Sequence, residues 1–506
     1  MDDTRVDIII YIDENLSDSM LEFRGEFTPL LIFSKVKSAL PETSIYYSVP
    51  SSYDGILKSE VNLIIRESTD DVNYWKEIFT KTSSPHIAVI KGDSPFFDTD
   101  VLKEMSELHT KYLAEFTYSE NLPEGFTCEI VSGELMDQLP EIKEKSLPLS
   151  KVIKSNINQF DVELYYREPD IRDKRISFRL SNPRDKRIME NLAEAKGGIP
   201  HYSEIRDIIR NNPSVVFTAP SYLEIEITGE CSLDCIFCYR KTLAQAHSRM
   251  SIETMKKIIE EMRDFALPYT VCFGGSGEPA DHPDFYALMD LVCGEPLAEQ
   301  LIIETNGIKA DANFKSYLSA PERAKIKIII NNNGMDQASY LRLHGSDSFD
   351  KIFNNIISLN ELNGSGERVY IQIMKINETD EFSAGDEQRS YLDKFYDFWE
   401  GYKVPIILQK QNTYSGRIKD RRYSDLSPLK RIPCWHLQRD LYILSDGTAA
   451  YCKQDIDGER AYGNINSNPL KEILNNQKEA FTQNYSDKFP SKPDCRTCDE
   501  WYTFNF

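Results

Sequence analysis

The stretch Leu223-Glu-Ile-Glu-Ile-Thr-Gly-Glu-Cys-Ser-Leu-Asp-Cys-Ile-Phe-Cys-Tyr-Arg240 decides how the chain is read. Its first half alternates apolar and polar residues through Thr228, the period-two pattern of a strand. Its second half sets Cys231, Cys235 and Cys238 at C-x3-C-x2-C, with Phe237 before the third cysteine. Thiols grouped just after a strand are candidate metal ligands, and a zinc site is one chemistry they fit. The chain holds ten cysteines in 506 residues, clustered rather than evenly spread. That distribution reads as metal binding in a reducing compartment and not as a disulfide framework.

Outward from this stretch the chain keeps alternating. Strand patterns at 223–228, 270–274, 301–304, 326–331, 369–375 and 405–409 are separated by helical patterns such as 252–265 and 349–359. Six such units predict a partial (βα)6 barrel, whose chemistry lies at the carboxyl ends of the strands. Motifs fall at those ends. Gly274-Gly-Ser-Gly-Glu-Pro279 follows the second strand, and glycines there let backbone approach a ligand closely, or simply make a turn. Glu304-Thr-Asn-Gly307 ends the third strand, where Asn-Gly also makes a turn. Ile330-Asn-Asn-Asn-Gly334 ends the fourth, and Tyr340-Leu-Arg-Leu-His-Gly345 comes later. A second cysteine set lies near the C-terminus: Cys434, Cys452 and the pair Cys495-Arg-Thr-Cys498, with Gly463-Asn-Ile465 among them. Cys128, Cys272 and Cys293 read as small buried hydrophobes.

Taken together, residues 218–506 resemble the radical S-adenosylmethionine (radical SAM) enzymes. The resemblance implies a [4Fe–4S] cluster on Cys231, Cys235 and Cys238; four thiolates would saturate it, whereas three leave one iron open. In the family that iron chelates SAM, and one electron cleaves SAM to a 5′-deoxyadenosyl radical. Gly274, Gly275, Ser276, Gly277 and Glu278 stand where relatives accept hydrogen bonds from the SAM amino group. Thr305 and Asn306 stand where relatives support the SAM-binding face. Relatives often have Ser-x-Asp-Gly after the fourth strand; here Asn331 takes the Ser place and Asn333 the Asp place. Arg342 or His344 is left as partner for the SAM carboxylate, and the planar fork of arginine favours Arg342.

The C-terminal cysteines resemble a shortened SPASM domain, called a twitch domain. That resemblance implies one auxiliary [4Fe–4S] cluster on Cys434, Cys452, Cys495 and Cys498, and a four-cysteine zinc site fits the same residues. In related dehydrogenating enzymes an acidic residue of this domain takes a substrate proton. Asp455 is the expected base, with Asp457 beside it, although both also suit a turn.

The first ~140 residues alternate strands at 6–12, 44–49, 61–67 and 86–92 with helices at 27–40, 72–82 and 98–112, predicting a doubly wound sheet. Lys91-Gly-Asp-Ser-Pro-Phe-Phe-Asp98 and Leu122-Pro-Glu-Gly-Phe-Thr-Cys-Glu-Ile-Val131 resemble nucleotidyltransferases that activate acidic sugars with CTP. An Asp at the place of Asp93 helps those enzymes hold Mg²⁺. Their basic loop after the first strand is replaced here by the acidic Asp13-Glu-Asn-Leu-Ser-Asp-Ser-Met20. The expectation is a shared fold without transferase activity, with Asp93 either a ligand or a turn residue.

The expected division is a nucleotidyltransferase-like α/β domain over 1–147, a connector over 148–217, a radical SAM core over 218–420 and an auxiliary-cluster domain over 421–506. This combination resembles the spiro-SPASM proteins. It implies an oxidoreductase that removes a hydrogen atom from a peptide or protein, served by a flavodoxin or ferredoxin. A sugar or nucleotide-sugar substrate, and a non-catalytic iron–sulfur scaffold, are the alternatives. A formal charge of −22 counts against nucleic acid as a partner. With no leader and no long apolar run visible, the expected location is the cytoplasm, away from membranes.

Overall fold

The computed structural model describes residues 5–60, 62–67, 72–139, 148–244, 246, 248–365, 367–376, 390–422, 427–491 and 493–503. They form two compact units, Met1–Val216 and Phe217–Phe506.

The first unit is built on seven strands: β1 Val6–Tyr11, β2 Ile45–Pro50, β3 Leu63–Arg66, β4 His86–Lys91, β5 Phe116–Ser119, β6 Glu129–Ser132 and β7 Val162–Tyr165. Their order across the sheet is β3-β2-β1-β4-β6-β5-β7. β1 is apolar at all positions but Asp7 and is buried throughout, as a strand covered on both faces must be. It pairs in parallel with β2 on one side and β4 on the other, which makes the β1–β4 boundary the point where strand order reverses. β6 runs antiparallel to both β4 and β5. Helices α1 Thr28–Ala39, α2 Val72–Lys81 and α3 Thr99–Lys111 come in the expected places. The third strand is shorter than expected, and Val61 lies outside the described residues. The stretch expected to be a connector corrects that reading. It supplies β7, α4 Pro183–Lys196 and α5 Tyr202–Asn211 to this unit. Ile188, Met189 and Leu192 on α4 and Ile205 and Ile209 on α5 are buried, so the segment is part of a core.

The second unit opens with β8 Tyr222–Ile225, β9 Tyr269–Phe273, β10 Ala298–Thr305, β11 Ile326–Asn331, β12 Val369–Lys375 and β13 Ile406–Lys410. These six run parallel in sequential order. Isoleucine-rich runs such as Ile328, Ile329 and Ile330 are buried on both faces. The crossovers carry α6 Ile252–Arg263, α7 Phe285–Cys293, α8 Ala312–Leu318, α9 Gln337–His344, α10 Phe349–Asn360 and α11 Tyr391–Glu400. On its other side β8 pairs in parallel with β14 Asp440–Ile443, which leads into β15 Thr448–Ala450 and β16 Gly463–Asn464. The C-terminal cysteine region therefore continues the barrel sheet, and α12 Leu470–Tyr485 packs against α6. A boundary at 420 falls inside this unit. Among the described residues no helix is long and apolar enough to cross a membrane.

Candidate active site

Cys231, Cys235 and Cys238 follow β8 on a loop fixed to the end of α9. Asp234 N donates to the His344 carbonyl at 3.2 Å, and Ile236 N to the Leu343 carbonyl at 3.1 Å. All three cysteines are half-buried and line one cavity. Burial, reinforced by Cys238 and Cys231, pushes the Cys235 thiol well up. A thiolate set in such surroundings calls for a cationic partner, so the donors fit an iron cluster.

The glycine-rich segment packs onto the extension of β8. Ser276 donates from N and Oγ to Glu226 Oε2 at 2.8 and 2.6 Å. A Cβ at Gly277 would fall 2.0 Å from the Thr228 carbonyl oxygen, so no larger residue fits. Gly275, at φ +100°, has Glu226 Cβ 2.8 Å from where its own Cβ would be. Glu278 is buried and accepts from Thr305 Oγ1 at 2.6 Å, Asn306 N at 2.6 Å and Ala280 N at 3.2 Å. Burial nevertheless pushes its carboxyl up to about 7. Glu278 and Thr305 thus bind each other and tie two strand ends together. Asn306 Nδ2 points at Cys231 Sγ, 3.9 Å away. Asn331 lines the cavity and accepts from Gln372 Nε2 at 2.7 Å.

Arg342 is placed differently from expectation. It is exposed and lies outside the cavity wall, whereas His344, two residues on, lines the cavity and Tyr340 is buried beneath it on α9. His344 faces Cys235 and not open space: its Nδ1 is 3.2 Å from Cys235 Sγ.

The second cysteine set lines the same cavity. Cys434 N donates to Asn484 Oδ1 at 3.0 Å, Cys498 N to the Asp494 carbonyl at 3.1 Å, and Glu500 N to Cys498 Sγ at 3.4 Å. Burial pushes Cys434, Cys495 and Cys498 up to about 12, with other cysteines of the set adding to it. Among the described residues no three Cys, His, Asp or Glu side chains converge to chelate one ion. Four such thiols suit one auxiliary [4Fe–4S] cluster or a four-cysteine zinc site.

Asp455, the expected base, is also placed elsewhere. Its carboxylate accepts from Tyr451 N at 3.2 Å, Glu459 N at 3.0 Å and Arg460 N at 3.1 Å, closing the turn after Cys452. It is buried and does not line the cavity. Asp457 accepts from Ala244 N at 2.9 Å and pairs with Arg417.

The cavity has a volume of about 450 Å³ and reaches from one cysteine set to the other. Charged residues that sequence reasoning missed lie in its wall. Lys453 Nζ is 2.9 Å from Glu224 Oε1 and 3.1 Å from Oε2. Glu304 closes in opposite: a Cβ at Gly274 would lie 3.5 Å from Glu224 Oε1 and 3.6 Å from Glu304 Oε2. Burial alone would lower Lys453, yet Glu224 and Glu304 hold its ammonium well above the usual lysine range. One signal was available. Two glutamates in β8 and its extension, Glu224 and Glu226, are unexpected in a strand covered on both faces.

In the first unit, at the end of β4, Asp93 is buried and engaged. Arg179 Nε donates to its Oδ1 at 2.9 Å and Ser181 N to its Oδ2 at 3.2 Å. Arg179 also pairs with Asp13, which Lys91 Nζ meets at 2.7 Å. Despite burial, Lys91 and Arg179 hold the Asp13 carboxyl below its usual range.

The model of the radical SAM superfamily matches residues 225–382, and that of an iron-sulfur cluster-binding domain, SPASM, matches residues 434–499. An uncharacterized protein of Treponema pallidum is 26% identical over 362 residues, covering 70% of this chain and 97% of its own length. Mycofactocin maturase MftC of Mycobacterium tuberculosis is 26% identical over 168 residues, covering 33% of this chain. The chain spans 41% of that maturase. Among solved structures, Streptococcus suis SuiB bound to precursor peptide SuiA aligns with a TM-score of 0.42 at 14% identity, over 64% of this chain and 75% of SuiB. The chain is a SAM-dependent iron–sulfur enzyme. It carries a radical SAM domain followed by a SPASM domain, and its cofactors are a [4Fe–4S] cluster with SAM and auxiliary iron–sulfur chemistry.

Proposed function

We propose that this enzyme removes a hydrogen atom from a peptide or protein substrate held between its two cysteine sets. The observation that carries this reading is the single cavity lined by Cys231, Cys235 and Cys238 at one end and by Cys434, Cys452, Cys495 and Cys498 at the other. When bound, the open cluster and SAM supply a 5′-deoxyadenosyl radical. The chain supplies position and dryness. Cys231, Cys235 and Cys238 hold the first cluster, and the backbone of Gly274–Pro279 with Asn306 and Asn331 forms the adjoining wall. The C-terminal cysteines would hold one auxiliary cluster, which would supply an electron acceptor for the substrate radical. Glu224, Glu304 and Lys453 offer acceptors and a donor to polar groups of the substrate.

The 26% identity over 168 residues to a mycofactocin maturase supports a maturation reaction. The nucleotide-sugar route is disfavoured by the Arg179 guanidinium, which occupies the Asp93 carboxylate that a nucleotide-bound cation would need.

The test is anaerobic reconstitution followed by reaction with SAM and dithionite. Substrate fractions come from cells grown in deuterated medium, one of peptides and one of nucleotide sugars. Deuterium in 5′-deoxyadenosine from the peptide fraction alone is the expected result; deuterium from the sugar fraction alone sinks the reading.

A further inference from the structure

His344 is held more firmly than a solvent-facing ligand contact would require. It is 1% exposed at the end of α9. Tyr340 stacks on its ring at 4.4 Å, and Phe237 meets it edge-on at 5.5 Å. Asn333 N donates to its Nε2 at 3.0 Å. A backbone N–H can only donate, so Nε2 is the unprotonated nitrogen. An imidazole whose Nε2 accepts is in its neutral form and carries its proton on Nδ1. Nδ1 is the atom 3.2 Å from Cys235 Sγ.

We infer that His344 is a positioning residue that donates Nδ1–H to Cys235 and raises the reduction potential of the three-cysteine cluster. The inference rests on Cys235 being a cluster ligand. Hydrogen bonds to ligating sulfurs are one of the terms that set such potentials. The reduced cluster carries more negative charge on its sulfurs than the oxidised one, so the same N–H stabilises it more. In a buried site the difference is only weakly screened. Nothing in this role needs His344 to titrate or to touch SAM. The Asn333–His344–Cys235 relay also explains why the loop at the end of β11 is tied to the cysteine loop: it fixes the tautomer.

Two variants separate this role from a structural one. His344→Gln keeps an acceptor near the place of Nε2 for Asn333 N–H but leaves no donor at the sulfur. His344→Asn keeps a donor near the place of Nδ1 and gives up the acceptor. The full-length protein is reconstituted, its iron counted, and both clusters titrated potentiometrically with EPR detection. The midpoint absent from the Cys235→Ala protein identifies the three-cysteine cluster. We expect His344→Gln to make that cluster about tenfold less reducible, ~59 mV for one electron, while His344→Asn stays close to wild type and the auxiliary midpoint is unmoved. Equal midpoints in both variants, equal displacement in both, or loss of cluster iron from both would overturn the inference. Retention of both midpoints in Cys235→Ala would overturn the ligand assignment beneath it.

Discussion

Lys453 Nζ lies 2.9 Å from Glu224 Oε1, so the residue that follows an auxiliary-set cysteine is ion-paired to the strand that leads into the first cysteine loop. Glu224 is 3% exposed, and Lys453 lines the cavity. Removing one partner leaves a buried charge alone. Lys453→Met is therefore expected to destabilise the second unit by about 3 kcal/mol. Adding Glu224→Gln should recover part of that loss, because the orphan charge goes with it. Chemical denaturation of the wild type, both single variants and the double variant checks this; strictly additive losses would show that the pair is not coupled.

Glu278 predicts a pH dependence. Its carboxyl is pushed from 4.5 up to about 7 by burial, so the folded state holds its proton more tightly than the unfolded chain. The stability from this group is fully present below about pH 4.5 and is lost as pH rises through about 7. Glu278→Gln cannot ionise and also disturbs the acceptors for Thr305 and Asn306. Its Tm deficit relative to wild type should be largest near pH 5 and shrink toward pH 8. A constant deficit across that range would contradict the assignment.

The C-terminal set should be separable from SAM cleavage. Cys498→Ala should reduce bound iron from about eight to about four per chain. Formation of 5′-deoxyadenosine should persist while oxidation of the substrate stops. Iron and zinc analysis beside a 5′-deoxyadenosine assay decides it; wild type with about four irons and one zinc would retire the auxiliary cluster.

Arg179 should be worth more to the first unit as a structural cation than any bound nucleotide. Asp93 is 1% exposed and accepts from Arg179 Nε at 2.9 Å. Arg179→Ala is expected to cost about 3–5 kcal/mol by leaving that carboxylate unpaired. Calorimetry with CTP and Mg²⁺ should detect no binding to wild type; micromolar binding would mean that Arg179 yields to the nucleotide.

The sequence made visible what is local. Parallel strands covered on both faces read as short apolar runs, and six of them were spaced widely enough for crossover helices. The cysteine groupings were legible because each is a short spacing or a simple composition. What stayed hidden depends on phase and on distant pairing. Arg342 and His344 are two residues apart, and which faces the cavity depends on the rotation of α9, which a motif does not carry. Asp455 looked like an available acid because its capping partners, the backbone N–H groups of Tyr451, Glu459 and Arg460, leave no trace in composition. Lys453 meets Glu224 only because β14 lies beside β8. The charge-rich stretch after Pro148 passed for a connector because its buried face, on α4 and α5, is short and interrupted by charged residues.

The parallel pairing of Tyr222–Ile225 with Asp440–Ile443 has a practical consequence for dissecting this enzyme. A barrel fragment ending before Cys434 would lose β14 and leave a row of backbone donors and acceptors on β8 without partners. Such a row is a template for a second chain, and the fragment should aggregate or swap segments in place of folding as a smaller enzyme. The C-terminal region is thus a seal on the sheet as well as a metal carrier, and the two halves of the second unit must be made together to be soluble.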